Sequence, residues 1–223
     1  MNIKKEDKKL RVFVLFGNSA SSIRFLSEHD DNFGKKYEVV GALTDCPSAQ
    51  ATKFFADLSG LCEIFPIRKF HERMDVSIND VLARRLYYEK MRRIIEGYSP
   101  DLIICSGWMW IIGDPLLSAY KERMINVHPA DLSIIMDDGT PKYRGVDAVK
   151  KAIFAGEGKL RSTIHYVSAD IDCGEIICVS PHELHVVREL APSWHQEQMK
   201  LLCDGPAMRL ALEKLTALVP QKV

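Results

Sequence analysis

Short runs rich in β-formers alternate along this chain with longer stretches of helical periodicity. Residues 11–16 (RVFVLF), 37–44 (YEVVGALT), 62–67, 101–106 (DLIICS), 124–128 (MINVH), 163–167 and 175–179 read as strands. Between them, IRFLSE from residue 23 and residues 49–59, 79–98, 114–120, 146–154 and 193–218 read as helices. The segment 79–98 carries apolar residues at helical spacing among many charges, the pattern of a long amphipathic helix. Strands and helices taking turns at this spacing predict βαβ units and an α/β fold, with a parallel sheet covered on both faces. No internal repeat, low-complexity tract or linker interrupts residues 1–223, which read as a single domain with residues 1–10 as a flexible N-terminal extension. The stretch 134–142 (IIMDDGTPK) has strong turn chemistry and reads as a surface insertion.

With 47% hydrophobic and 27% charged residues, 223 residues can bury a substantial core without staples. Lys+Arg and Asp+Glu number 30 each, so the basic excess of a general nucleic-acid coat is missing. No apolar run reaches the roughly 18 residues a membrane helix needs, and the charged start of the chain has no signal-peptide core. The expectation is a cytoplasmic protein without nucleic-acid or membrane partners. Cys46, Cys62, Cys105, Cys173, Cys178 and Cys203 are scattered without a CxxC pair, which predicts free thiols and no zinc. Cys105 lies within an apolar run and reads as a core residue.

In parallel sheets, ligands gather at the carboxyl ends of strands, and four such ends are suggestive. GNSASS after the first strand offers small residues and a following helix N-terminus, suited to a phosphate or, more plainly, to a capped turn. Asp45, after the second strand, could hold a ribose. In Asn126-Val127-His128-Pro129, alternation puts an amide and an imidazole on one strand face. Such a pair could hold an oxyanion and handle a proton, or be a hydrogen-bonded strand end. The loop from Ser168 to Gly174 brings carboxylates that could support His128, or serve only as a polar turn. Its Asp170, Asp172 and Glu175 are too few for a calcium loop. Trp108 and Trp110 could wall a flat heterocycle or belong to the core. His165 reads as packed or paired within its strand, and His182, His185 and His195 as surface or capping residues. Lys90, Arg92 and Arg93 read as a solvated helix face.

Taken in order, the GN-small-small-small turn, SPDLIICSGWMWII, MINVHPADLS, KYRGVDAVKKAIFAGE, RSTIHYVSADIDCGEII and HQEQMK resemble the folate-dependent formyltransferase family over residues 11–205. Within it, the similarity is greatest to members that formylate glycinamide ribonucleotide in purine biosynthesis. The resemblance implies a Rossmann-like, mostly parallel sheet, 10-formyltetrahydrofolate as co-substrate, no metal, and a phosphate-bearing small-molecule amine as acceptor. A homodimer is left open. Asn126, His128 and Asp172 match the family's catalytic set. Ser19, Ala20 and Ser21 match its phosphate loop, and Met109 and Glu197 its acceptor contacts. Arg84, Trp110, Ile111 and Ile112, with Ser168, Ala169, Asp170 and Ile171, match its folate pocket. The roles that follow are direct attack by the amine, oxyanion stabilisation by Asn126 and a protonated His128, and support of the imidazolium by Asp172.

Several positions depart from the family pattern. Ser21 stands for Asn, Trp110 for Arg and Cys173 for Gly, HPADLS replaces HPSLLP, and residues 134–141 are additional. None removes a catalytic residue, but Trp110 and Ser21 bear on which amine is accepted. The alternatives are an amino-sugar nucleotide and methionyl-tRNA, the latter disfavoured by zero net charge and by the lack of a basic C-terminal domain. A formyltetrahydrofolate hydrolase is disfavoured because such relatives carry an extra N-terminal domain. A folate-binding module without catalysis is the alternative of another class.

Overall fold

Side-chain alternation along the first strand organises the molecule. In the computed structural model, which describes residues 8–60 and 62–217, β1 (Leu10–Phe16) sends Val12, Val14 and Phe16 into one apolar core and Phe13 and Leu15 into another. A strand apolar on both faces belongs in the middle of a covered sheet. There β1 pairs in parallel with β2 (Tyr37–Thr44) on one side and β4 (Leu102–Ser106) on the other. β3 (Cys62–Ile64) closes one edge in parallel, and β5 (Met124–His128) extends the sheet beyond β4. β6 (Lys159–Leu160) lies outside this sheet. β7 (Thr163–Tyr166) and β8 (Ile176–Val179) then complete it, both antiparallel, in the order β3-β2-β1-β4-β5-β7-β8. β9 (Leu184–His185) pairs with β6 in a small separate ladder. The expected mostly parallel α/β sheet is present.

Helices cover both faces. α1 (Ser21–His29), α2 (Thr52–Ser59) and α8 (Gly205–Ala217) bury Ile23, Leu26, Phe55, Met208 and Leu212 against the first core. α3 (Ile67–Arg73), α4 (Val81–Gly97) and α5 (Leu116–Ala119) bury Ile67, Tyr87, Met91, Ile95 and Leu116 against the second. The Asp80 side chain caps α4 by accepting from Ala83 N at 2.8 Å. Its outer face carries the Glu89–Arg92 and Glu89–Arg93 pairs, both 2.9 Å, as a solvated face should. α6 (Ala148–Phe154) and α7 (Pro192–Met199) enclose a third, smaller core around Tyr143, Val149, Leu160 and Met199.

Three sequence expectations need correction. Residues 62–67 were expected as one strand. The strand stops at Ile64 because Pro66 cannot continue a ladder, and Ile67 opens α3 instead. The helix expected over 193–218 is two helices joined by a π-helical turn, Lys200–Asp204, with Leu218 outside the described residues. Pro206 lacks the amide hydrogen a continuous helix would use, and its ring crowds the preceding turn, so the backbone widens before it. Of the expected N-terminal extension, Leu10 belongs to β1 and Lys8 pairs with Asp101 at 3.4 Å, while residues 1–7 lie outside the described residues. The 134–142 stretch is hairpin-like, with an antiparallel bridge between Ile135 and Pro141. Among the described residues, no helix is long and apolar enough to cross a membrane.

Candidate active site

Ile125 and Val127 of β5 point into the first core, so the strand's alternation turns Asn126 and His128 to the other face. β7 runs antiparallel to β5 and sets His165 directly across from Asn126 and Thr163 across from His128. Asn126 Nδ2 lies 3.2 Å from His165 Nε2. His165 Nδ1 donates to the Tyr166 carbonyl at 2.9 Å, which leaves Nε2 to accept from the amide. The loop between β7 and β8 doubles back over this face and delivers Asp172. Its Oδ1 is 3.4 Å from His165 Nε2 and its Oδ2 is 3.3 Å from His128 Nδ1. Gly145 N donates to Oδ2 at 2.7 Å. His128 Nε2 donates to the Tyr143 carbonyl at 2.7 Å, so the YRG segment orients both the imidazole and the carboxylate.

Two backbone features hold this loop. Asp172 sits in the left-handed region at φ 52, which Asp tolerates better than most residues. Gly174 packs so closely that a Cβ there would lie 1.7 Å from the Tyr166 carbonyl oxygen.

His128 is 5% exposed. Burial lowers its pKa from the usual histidine value, outweighing the Asp172 charge and the Tyr143 carbonyl, which both raise it. Asp172 feels the same burial, which raises its pKa. Its contacts with His165 and His128 and the hydrogen bond from the Gly145 amide together outweigh it, and the carboxyl titrates below its ordinary range. The site therefore pairs an ionised carboxylate with an imidazole that burial favours as neutral.

These groups face a cavity of about 920 Å³. Ser19, Ala20 and Ser21 form another part of its wall. Ala20 takes the N-cap position of α1 with φ 47, and no side chain caps the helix, so the expected serine cap is not formed. The first N–H groups of α1 are thus available to an anion. The loop is pinned by Ser22 Oγ to Ser106 Oγ at 2.8 Å and by Gln50 N to Asn18 Oδ1 at 3.0 Å. Trp108, Met109, Trp110, Ile111 and Ile112 line the same cavity. Trp110 Nε1 donates to Asp45, so that carboxylate is engaged by the indole rather than held open for a ribose. Ser168, Ala169 and Ile171 complete the apolar side together with Val127 and Val167.

Three expected contacts are not among the walls. Arg84 stays on α4 beside Tyr88, and Asp170 is exposed with its carbonyl accepting from Ser168 Oγ. Glu197 pairs with Lys200 at 2.5 Å and faces outward. Residues 196 and 200, one helical turn apart, face the cavity in its place, because position 197 is rotated by about 100°. His195 is fully buried rather than superficial, with its Nε2 accepting from Val187 N at 3.0 Å.

Sequence reasoning missed His165 as a site residue. Its only trace was a histidine inside an apolar strand, and its role rests on a strand register that sequence does not show. Also unanticipated on the walls are Lys151, Lys200 and the buried Asp204.

The formyl transferase family model matches residues 20–196. The trifunctional purine biosynthetic protein adenosine-3 of Drosophila melanogaster is 31% identical over 172 residues, covering 76% of this chain and 11% of that protein. The Homo sapiens protein of the same name is 25% identical over 175 residues, covering 77% and 15%. The chain thus spans only a small part of these curated relatives. Among solved structures, a phosphoribosylglycinamide formyltransferase from Bacillus halodurans matches with a TM-score of 0.74 and 21% identity, covering 95% of this chain and 98% of that one. The corresponding protein from Coxiella burnetii matches with a TM-score of 0.69 and 24% identity, covering 94% and 86%. The family match over most of the chain, on a fold these structures share, identifies this protein as a member of the formyl transferase family.

Proposed function

We propose that this protein transfers a formyl group from 10-formyltetrahydrofolate to the primary amine of glycinamide ribonucleotide, a cytoplasmic step of purine biosynthesis. The observation that carries the reading is the Asn126–His165–Asp172–His128 cluster in a cavity that also holds the uncapped start of α1. The names of the solved relatives and of the curated purine proteins support the choice of acceptor, and six free cysteines accord with a reducing compartment.

The cavity suits both substrates. Its apolar side, from Trp108 to Ile112 with Val127 and Val167, fits a flat heterocycle. Ser19 to Ser21 and the N-terminus of α1 suit the acceptor's phosphate, which fixes the amine in place and lowers the entropic barrier. As co-substrate, 10-formyltetrahydrofolate supplies an already activated formyl group.

The amine lone pair forms the new C–N bond while the carbonyl pair moves onto oxygen. Asn126, held by His165, directs an N–H at this developing oxyanion. His128 enters neutral rather than as the imidazolium expected from sequence. Its Nε2 hydrogen is committed to the Tyr143 carbonyl, so Nδ1 takes the proton that the amine sheds. The resulting imidazolium lies against Asp172, which stabilises it. The proton then passes from Nδ1 to the departing folate nitrogen as the old C–N bond breaks.

Formyl transfer measured with glycinamide ribonucleotide, an amino-sugar nucleotide and methionyl-tRNA tests this. Turnover is expected with the first. Turnover of the sugar nucleotide alone would replace the acceptor and leave the chemistry, whereas folate consumption without any amine would remove the transferase reading.

A further inference from the structure

We infer that Arg24 is a positioning residue for the acceptor's phosphate. Its guanidinium grips the Ser19 carbonyl from behind the Ser19–Ser21 loop, and so turns the Ala20 N–H at the other side of that peptide toward the anion. The inference rests on the reading above that this loop takes the phosphate.

Arg24 lies one helical turn beyond Ala20, with its own N–H donating to the Ala20 carbonyl at 3.1 Å. Side chains on a helix lean toward its N-terminus, so the guanidinium reaches back along α1. Its Nε donates to the Ser19 carbonyl at 3.0 Å, and one terminal nitrogen donates to the Gln50 carbonyl at 3.3 Å. The guanidinium carbon sits 5.0 Å from the centre of the Phe54 ring. Gln50 N in turn donates to Asn18 Oδ1, so one side chain ties the loop after β1 to the turn before α2.

Two features go beyond a structural clamp. The Ser19–Ala20 peptide is trans, so its carbonyl and its N–H point in opposite directions. Ser19, Ala20 and Ser21 line the cavity and Arg24 does not, so the side away from the guanidinium is the cavity side. The Ala20 N–H has no hydrogen-bond partner among the described residues. Arg24 itself touches two carbonyls and a ring, and among the described residues no carboxylate neutralises it. A clamp between carbonyls needs only donors. A full positive charge left uncompensated one peptide plane from an open N–H suits an anion on the far side. That N–H is also the stronger donor because its peptide carbonyl is already bonded to a cation.

Titration with inorganic phosphate, followed through the Ala20 amide by NMR, tests the inference. In the wild type the Ala20 amide proton should move downfield and saturate. Arg24→Met keeps a long side chain over Phe54 but removes the charge and the donors, so its phosphate Kd should rise about tenfold. Arg24→Lys keeps the charge without the two-pronged grip and should lose about threefold. It carries the test if the methionine variant does not fold. In formyl-transfer kinetics the acceptor KM should rise with the phosphate Kd in each variant while kcat changes far less, and a dephosphorylated acceptor should lose nothing further. An Ala20 amide that phosphate leaves unmoved, variants that bind phosphate as tightly as wild type, or an equal loss with the dephosphorylated acceptor would each overturn the assignment. Saturable binding at Ala20 in a protein that formylates no phosphosugar amine would instead overturn the proposed reaction and leave the anion site standing.

Discussion

At the scale of single residues, the site depends on a contest over one proton. Burial holds His128 toward the neutral form, while Asp172 pulls the other way from 3.3 Å. Because the reaction proposed here begins with neutral His128, the acid limb of the kcat profile should fall below the ordinary histidine pKa of about 6.5. Asp172→Asn removes the charge that raises the His128 pKa, so it should move that limb to still lower pH while lowering the rate about 10²-fold or more. A limb moving upward would refute the pairing. Asn126→Ala should reduce kcat by about 10²–10³ with little change in folding, measured by assay and thermal melt. Asp204 offers the opposite experiment. Its folded pKa, about 6, lies above the ordinary 3.8, so the folded state holds the proton more tightly. That contribution is present at low pH and is lost as pH rises through 6. Asp204→Asn should therefore be more stable than wild type by up to about 3 kcal/mol near pH 8 and no more stable near pH 4, as read by denaturant titration.

The elements show how loops are constrained to serve strands. β5 and β7 carry three of the four polar groups on ordinary strand positions, but Asp172 depends on a loop that must fold back over the sheet. Gly174→Ala would place a methyl group against the Tyr166 carbonyl. It should cost about 3 kcal/mol or more and reduce turnover in step with the displacement of Asp172, seen as a lower Tm and a lower kcat. An alanine variant with normal activity would show that the loop has room to move. The break between α7 and α8 follows the same logic, since Pro206 forces a widened turn and that turn brings Lys200 and Asp204 to the cavity.

For the whole molecule, the proposed reaction puts both substrates in one cavity, bounded by the loop after β1, the ends of β4 and β5, β7 and the start of α1. Strand order 3-2-1-4 places the divergence of chain direction between β1 and β4, where the loops after Phe16 and Ser106 leave a crevice. Either substrate alone, at about a hundred times its Kd, should raise unfolding stability by about 2.7 kcal/mol, and the two together by more. A competitive pattern between them in calorimetry would show that they overlap and would exclude direct transfer within this cavity.

The sequence by itself determined the sheet class and most of its strands, because a doubly buried strand needs a continuous apolar run and 12–16 and 102–105 supply it. It also marked Asn126 and His128 as neighbours, since a period of two is local information. Likeness to a known family singled out Asp172. Only the tertiary structure decided that His165 joins them, because strand register is a long-range property. It likewise turned Glu197 outward, through its place on the turn of α7, and brought Asp204 to the cavity through the widened turn before Pro206. The downward shift of the His128 pKa also arises there, because burial is a sum over neighbours that no single stretch of chain contains.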